Sequence, residues 1–212
     1  MPSLILTSDD FGLSGIFNQR MIEMLQSNFL SSISVMVKQV SPDQQNQIDE
    51  IKKMYSQINF SLGLHLEVSE ADDETTYQNQ WDKFEQLFSL IPDYIDVHKG
   101  HFQNVTFNSI ATFCLKKGVR FRKYKETTVD VRSPKNSLTA TFKELDAIKE
   151  WIDNFEANST YELVFHIGSF DPDSKSSLNK ERELDIEKLK LVHQFILDKN
   201  ISIVNYKSLS EK

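Results

Sequence analysis

The sequence predicts an α/β fold, a distorted or incomplete (β/α) barrel with six or seven parallel strands, formed as a single domain over residues 1–212. Three observations lead there. Short β-branched runs alternate with longer stretches whose apolar residues recur every three or four positions, the pattern of strands followed by covering helices. A chain of 212 residues suits one domain with a full core. The residues best able to carry chemistry fall at the ends of the expected strands, where a parallel barrel builds its sites. Spacing alone also fits an open doubly wound sheet, and the placement of the reactive residues favours the barrel.

The first expected strand is Ser3–Thr7, followed by a helical pattern from about Ile16 to Leu25. Ser32–Val37 and a helix from Gln44 to Met54 form the second unit, and Phe60–Leu64 with Tyr77–Leu90 the third. Tyr94–Val97 precedes a helix over Phe107–Lys117, and Val119–Arg122 is the fifth strand. Phe142, Leu145, Ile148, Trp151, Ile152 and Phe155 recur at helical spacing, as do Ile186, Leu189, Val192, Phe195 and Ile196. The strands Tyr161–Phe165 and Ile201–Val204 complete the set. Ser69–Thr76, Lys123–Thr139 and Ser169–Lys180 read as loops on the active end of the barrel.

Composition narrows the function. Hydrophobic residues at 39% and charged residues at 26% exclude a disordered, collagenous or coiled-coil chain. The single cysteine, Cys114, excludes a disulfide framework and a Cys-based zinc or iron–sulfur site, and reads as a buried small hydrophobe. A net charge of −7 repels phosphate backbones, so nucleic acid is not an expected partner. The N-terminus lacks a basic segment with an apolar core, and no stretch approaches the ~20 apolar residues of a membrane span, which points to a cytoplasmic protein without membrane contact.

Four of the five histidines stand at or just beyond strand ends. Asp9 and Asp10 close the first strand, His65 the third, and Asp96 and His98 the fourth, with His101 just beyond. Arg122 closes the fifth, and His166 follows Phe165. Two histidines and one carboxylate make a facial set for a divalent metal, and Asp10, His65 and His98 are the natural trio. Magnesium or zinc heads the choice, with manganese, cobalt and nickel compatible. Neighbouring strand residues point to opposite faces, so Asp9 and Asp10 reach one site only if the strand has broken, which Gly12 permits. The competing reading is a plain strand-to-helix turn with an Asp accepting backbone N–H groups. His101 becomes a ligand only if His98-x-x-His101 coils into a helical turn; otherwise it is a wall residue, like Lys99. His193 reads as a helix-flank residue, and Asp171-Pro-Asp173 as a solvated turn.

Thr7-Ser-Asp-Asp-Phe-Gly-Leu-Ser14, Gly63-Leu-His-Leu66, Asp96-Val-His98 and Phe165-His-Ile-Gly168, together with Arg122 and Arg182-Glu-Leu184, resemble the YdjC-like carbohydrate deacetylase family, related to polysaccharide deacetylases. The resemblance implies a distorted (β/α) barrel holding one divalent metal through an Asp and two His, and removal of N-acetyl groups from chitooligosaccharides. It implies Asp10, His65 and His98 as ligands, Asp9 as catalytic base and His166 as acid. The chain departs from the family's pattern at Lys99-Gly100-His101, at Ile167 and in a short segment between His65 and Asp96. These departures leave the trio intact and bear on the sugar.

The expected function is therefore a metal-dependent hydrolase that removes an N-acetyl group from an amino sugar or short N-acetylated oligosaccharide. The rivals are a metal-dependent phosphoesterase on a related barrel and a non-catalytic, metal-stabilised sugar-binding module. Arg122 is expected to keep Asp9 ionised and oriented. Phe11, Phe102 and Phe170 are candidates for packing against the sugar. The expected partner is a small carbohydrate, with homodimerisation left open.

Overall fold

In the computed structural model, residues 1–99 and 104–209 are described; the expected wall residues His101 and Phe102 lie outside them. The chain runs β1 (Ser3–Phe11), α1 (Gly15–Gln26), β2 (Ser32–Val35), α2 (Gln45–Tyr55), β3 (Ser61–Leu66), α3 (Glu74–Phe88) and β4 (Tyr94–Val97). It continues through α4 (Asn104–Lys117), β5 (Arg120–Phe121), β6 (Ser137–Thr139), α5 (Leu145–Asp153), β7 (Thr160–Phe165), α6 (Glu181–Asp198) and β8 (Ser202–Val204). All described strand pairs are parallel. The order is β5-β4-β3-β2-β1-β7-β6, and β8 pairs with Ser3–Ile5 of β1.

The seven-strand path curls into the expected incomplete barrel. Among the described residues β5 and β6 do not pair. The connecting segment lies between them, with the Phe121 N–H donating to the Arg132 carbonyl at 2.9 Å and the Lys135 N–H to the Thr160 carbonyl at 2.7 Å. Strand β6 lies inside the stretch that reads as a loop in the sequence. Three residues are too few to show an alternating pattern, and pairing with Glu162–Val164 creates the strand.

Strand alternation sorts the two faces of the sheet. Leu4, Leu6, Ile33, Val35, Leu62, Leu64, Ile95 and Val97 join helix residues such as Phe17, Ile51, Phe84 and Ile148 in the main apolar core. The intervening positions, Thr7, Ser32, Ser34, Ser61, Tyr94, Asp96 and Glu162, are equally buried but mostly polar, and they fill the inside of the curl. The Tyr94 ring fits there because residue 63 has no side chain: a Cβ on Gly63 would stand 2.3–2.6 Å from the ring. Tyr94 stacks on Tyr206 at 3.7 Å and accepts a hydrogen bond from Ser32 Oγ at 2.8 Å. The lower end of the curl is thereby plugged, and the polar upper end opens as a cleft. Among the described residues no helix is long and apolar enough to cross a membrane.

Candidate metal and acid–base site

Asp9 and Asp10 reach the same cleft because β1 breaks at Asp10 itself, whose φ is +72°. Pairing with β2 skips between Ser8 and Phe11, a β-bulge at the strand end. The break thus precedes the expected one at Gly12, which also has a positive φ of +102°. A Cβ on Gly12 would lie 2.8 Å from Val40 Cγ2 and 3.0 Å from the Met36 carbonyl oxygen. Asp tolerates the left-handed region better than most residues, at a cost of roughly 1–2 kcal/mol that the surrounding contacts must offset.

Asp10 Oδ1 lies 3.5 Å from both His65 Nε2 and His98 Nδ1, and these two nitrogens are 3.2 Å apart. Its other oxygen accepts from Arg182 Nη2 at 2.7 Å, whereas Oδ1 is buried with no hydrogen-bond partner. One bare carboxylate oxygen and two imidazole nitrogens thus converge, a donor set that fits a divalent cation. Burial works against charge on Asp10, but the His65 and His98 rings that face it at 3.5 Å, with His166 nearby, hold its carboxyl well below the usual range. Burial also disfavours charge on His65. The carboxylates of Asp96, 3.0 Å from Nδ1, of Asp9 and of Asp10 outweigh it and raise the His65 pKa well above its ordinary value.

A second acidic group, Asp9, His65 and Asp96, lies beside the first. Arg122 already occupies it: Nη1 donates to both Asp9 oxygens at 2.9 and 2.7 Å and pairs with Asp96 Oδ2. Glu162 grips the same guanidinium in a fork, with Nε and Nη2 each at 2.8 Å, and accepts from Thr7 Oγ1 at 2.7 Å and Ser137 Oγ at 2.9 Å. Four buried carboxylates, Asp9, Asp10, Asp96 and Glu162, face two buried guanidinium groups, Arg122 and Arg182. Arg182 balances Asp10, and the excess of carboxylates lies around Arg122, which faces Asp9, Asp96 and Glu162.

His166 follows β7, which flanks β1 on the edge opposite β2, β3 and β4. The two Asp residues therefore lie between His166 and the histidine pair. Thr141 Oγ1 donates its one proton to Asp185 Oδ2 at 2.6 Å, so it accepts from His166 Nδ1 at 2.8 Å. The neutral ring then carries its proton on Nδ1 and leaves Nε2 available to a ligand. The His166 N–H also donates to Asp185 Oδ2, at 3.0 Å. Burial, partly opposed by Asp10 and Asp9, lowers the His166 pKa.

Asp9, Asp10, His65, His98 and His166 line one cleft of about 830 Å³, and Lys99 lies on its wall as expected. Phe11 does not. Its ring is fully buried in the main core, because the bulge at Asp10 resets which residues of β1 face the cleft. Phe170 is 49% exposed and is not part of the cleft wall. Asp171 is a buried anchor rather than a solvated turn: it accepts from Ser14 Oγ, the N-cap of α1, at 2.5 Å. Cys114 is buried as expected, and His193 packs edge-on against Phe29 at 4.9 Å.

Sequence reasoning missed Glu162, Thr141, Asp185 and Tyr124. Glu162 had a signal, a lone acid inside the apolar run Tyr161-Glu-Leu-Val-Phe165. Thr141 and Asp185 had none, since their partner His166 comes from another element. Tyr124 is two residues from Arg122, the spacing at which extended residues share a face.

The fold is of the deacetylase half-barrel type. A CE4 esterase of Streptococcus mutans superimposes with a TM-score of 0.63 at 8% identity, over 96% of this chain and 85% of its own. A polysaccharide deacetylase of Bacillus cereus gives 0.58 at 9% identity, over 99% and 94%. More particularly, residues 3–78 match the family model described as YdjC-like protein, bearing out the resemblance read from the motifs. A carbohydrate deacetylase of Clostridium beijerinckii is 24% identical over 253 aligned residues, 97% of this chain and 99% of that protein. A protein of Enterococcus faecalis V583, provisionally described as a cellobiose-phosphate cleavage protein, superimposes with a TM-score of 0.79 at 19% identity, over 99% of both chains.

Proposed function

We propose that the chain is a metal-dependent carbohydrate deacetylase that hydrolyses the N-acetyl amide of an amino sugar or short N-acetylated oligosaccharide. The observation that carries this reading is the bare, buried Oδ1 of Asp10 facing His65 Nε2 and His98 Nδ1, in one cleft with Asp9 and His166. The similarity to the Clostridium beijerinckii carbohydrate deacetylase supports the substrate class. Asp10, His65 and His98 would hold one divalent cation, magnesium or zinc first, with manganese, cobalt or nickel compatible. A cation bound there supplies Lewis acidity, which makes a water more acidic and an amide carbonyl more electrophilic.

The chain's own groups move the protons. Asp9 takes one from the attacking water as oxygen bonds to the acetyl carbon. Arg122 holds that carboxylate in place, donating from Nη1 to both of its oxygens. His166, in its charged form, gives the Nε2 proton to the nitrogen as the C–N bond breaks, since an amine is a poor leaving group unless protonated. One water is consumed, and acetate and a free amine are released.

The test is to load the protein separately with each of the five metals, incubate it with N-acetylated mono- and oligosaccharides, and measure acetate. Release from at least one sugar, lost in Asp9→Asn, is expected. Sugar binding without acetate from any member of the panel would instead point to a binding module. Phosphate release from sugar phosphates would point to a phosphoesterase.

A further inference from the structure

We infer that the Tyr124 hydroxyl is a catalytic residue that donates a hydrogen bond to the acetyl oxygen as negative charge builds there. The inference rests on the deacetylase reading above. Tyr124 lines the cleft together with Asp9, Asp10, His65, His98 and His166. It is 36% exposed, so the aromatic side chain forms part of the wall rather than of the core.

The hydrogen-bond arithmetic leaves one proton free. Arg122 Nη1 lies 3.2 Å from the Tyr124 hydroxyl. A guanidinium only donates, so the phenol oxygen accepts, and among the described residues none takes the phenol's own proton. The same Nη1 holds both oxygens of Asp9 at 2.9 and 2.7 Å. Base and phenol are thus gathered on one nitrogen, which puts the free O–H beside the group that activates the water. Desolvation of the hydroxyl and the carboxylates of Asp9, Asp96 and Glu162, opposed by Arg122, keep the phenol protonated.

The charged groups on the wall are committed or of the wrong kind, and the neutral donors Gln39, Thr139, Ser174, Ser176 and Ser177, among the described residues, make no hydrogen bond to Arg122 or Asp9. Asp9, Asp10 and Glu67 as carboxylates only accept. His65 and His98 face Asp10. The His166 proton goes to the nitrogen, and Lys99 and Lys175 are exposed. Tyr124 is the neutral donor that Arg122 holds beside the base. Its proton stays on oxygen throughout; the hydroxyl stabilises charge and breaks no bond. A preorganised donor of this kind is typically worth ~10²–10³-fold in kcat.

Tyr124→Phe keeps the ring and removes the donor. Expected is a kcat for N,N′-diacetylchitobiose lower by about 10²-fold, with KM within about threefold and metal content and melting temperature close to wild type. A second readout needs no turnover: the carbonyl stretch of diacetylchitobiose carrying ¹³C at the acetyl carbonyl, bound to Asp9→Asn protein. That band should lie at lower frequency than in the Asp9→Asn/Tyr124→Phe complex, because the donor weakens the C=O bond. A Tyr124→Phe kcat within twofold of wild type, with the two bands coincident, overturns the role of Tyr124 alone. A wild-type protein that releases no acetate from any sugar, with any metal, overturns the deacetylase reading and this inference with it.

Discussion

Replacing His166 with Ala should separate proton donation from the rest of the chemistry. The imidazole is held at Nδ1 by Thr141 at 2.8 Å, and Thr141 by Asp185 at 2.6 Å, so the ring is oriented by residues that the substitution leaves in place. The trio and the Asp9–Arg122 pair make none of these contacts, so metal content should be unchanged. A general acid is typically worth ~10²–10⁴-fold, or about 3–5 kcal/mol at 1.36 kcal/mol per factor of ten. The whole of that loss is expected on an amide, whose nitrogen must gain a proton as it leaves. An activated acetate ester such as p-nitrophenyl acetate has a leaving group that departs as the anion, and its hydrolysis should fall by less than about tenfold. The pH profile carries the same information. Burial lowers the His166 pKa, so the ring loses its donor proton as pH rises through that lowered value, and amide kcat/KM should fall about tenfold per unit above it. The Ala variant should lack this alkaline limb. Equal losses on amide and ester, with the limb intact, would remove His166 from the proton-transfer step.

Other substitutions test the remaining parts. His65→Ala or His98→Ala should abolish stoichiometric metal in elemental analysis while the melting curve stays cooperative; full occupancy in either variant would strike that ligand from the set. Metal uptake by the wild type should weaken as pH falls, because the raised His65 pKa makes protons stronger competitors for Nε2, and calorimetry should find protons released on binding. A pH-independent affinity would refute that coupling. Asp9→Asn should keep the metal and lose ~10²–10⁴-fold in turnover; metal loss there, with retention in Asp10→Asn, would reverse the two assignments. Gly63→Ala would force a Cβ to within 2.3–2.6 Å of the Tyr94 ring and should cost about 1–3 kcal/mol by overpacking, read from the urea midpoint.

The strand ends were legible because chemistry marked them. His65, His98 and His166 each follow an apolar run whose period is two, and a parallel sheet brings such ends to one face whatever their separation in sequence. Tyr94–Val97 matches its expected span, since four residues bounded by turns leave little freedom. The shape of β1 was less legible: the left-handed Asp10 is fixed by pairing with β2, and the fate of Phe11 follows from it. The three carboxylates on Arg122 were hidden for a related reason. They come from β1, β4 and β7, and a charge network inside a curl is a property of register, which no local window contains.

The pairing of β8 with the start of β1 makes the two ends of the sequence neighbours: Ser3 lies opposite Ser202, and Ile5 opposite Val204. β1 also takes β7 as its other partner, some 157 positions away. On the ribosome, then, the lower half of β1 is made long before β7 and β8, which flank it. That half stays an open edge, a template for stray pairing, until the last helix and the strand after it have emerged. Contacts of such range slow folding, and β8 acts as a latch on the start of β1. A chain cut short before Ser202 would leave β1, which carries Asp9 and Asp10, without that partner.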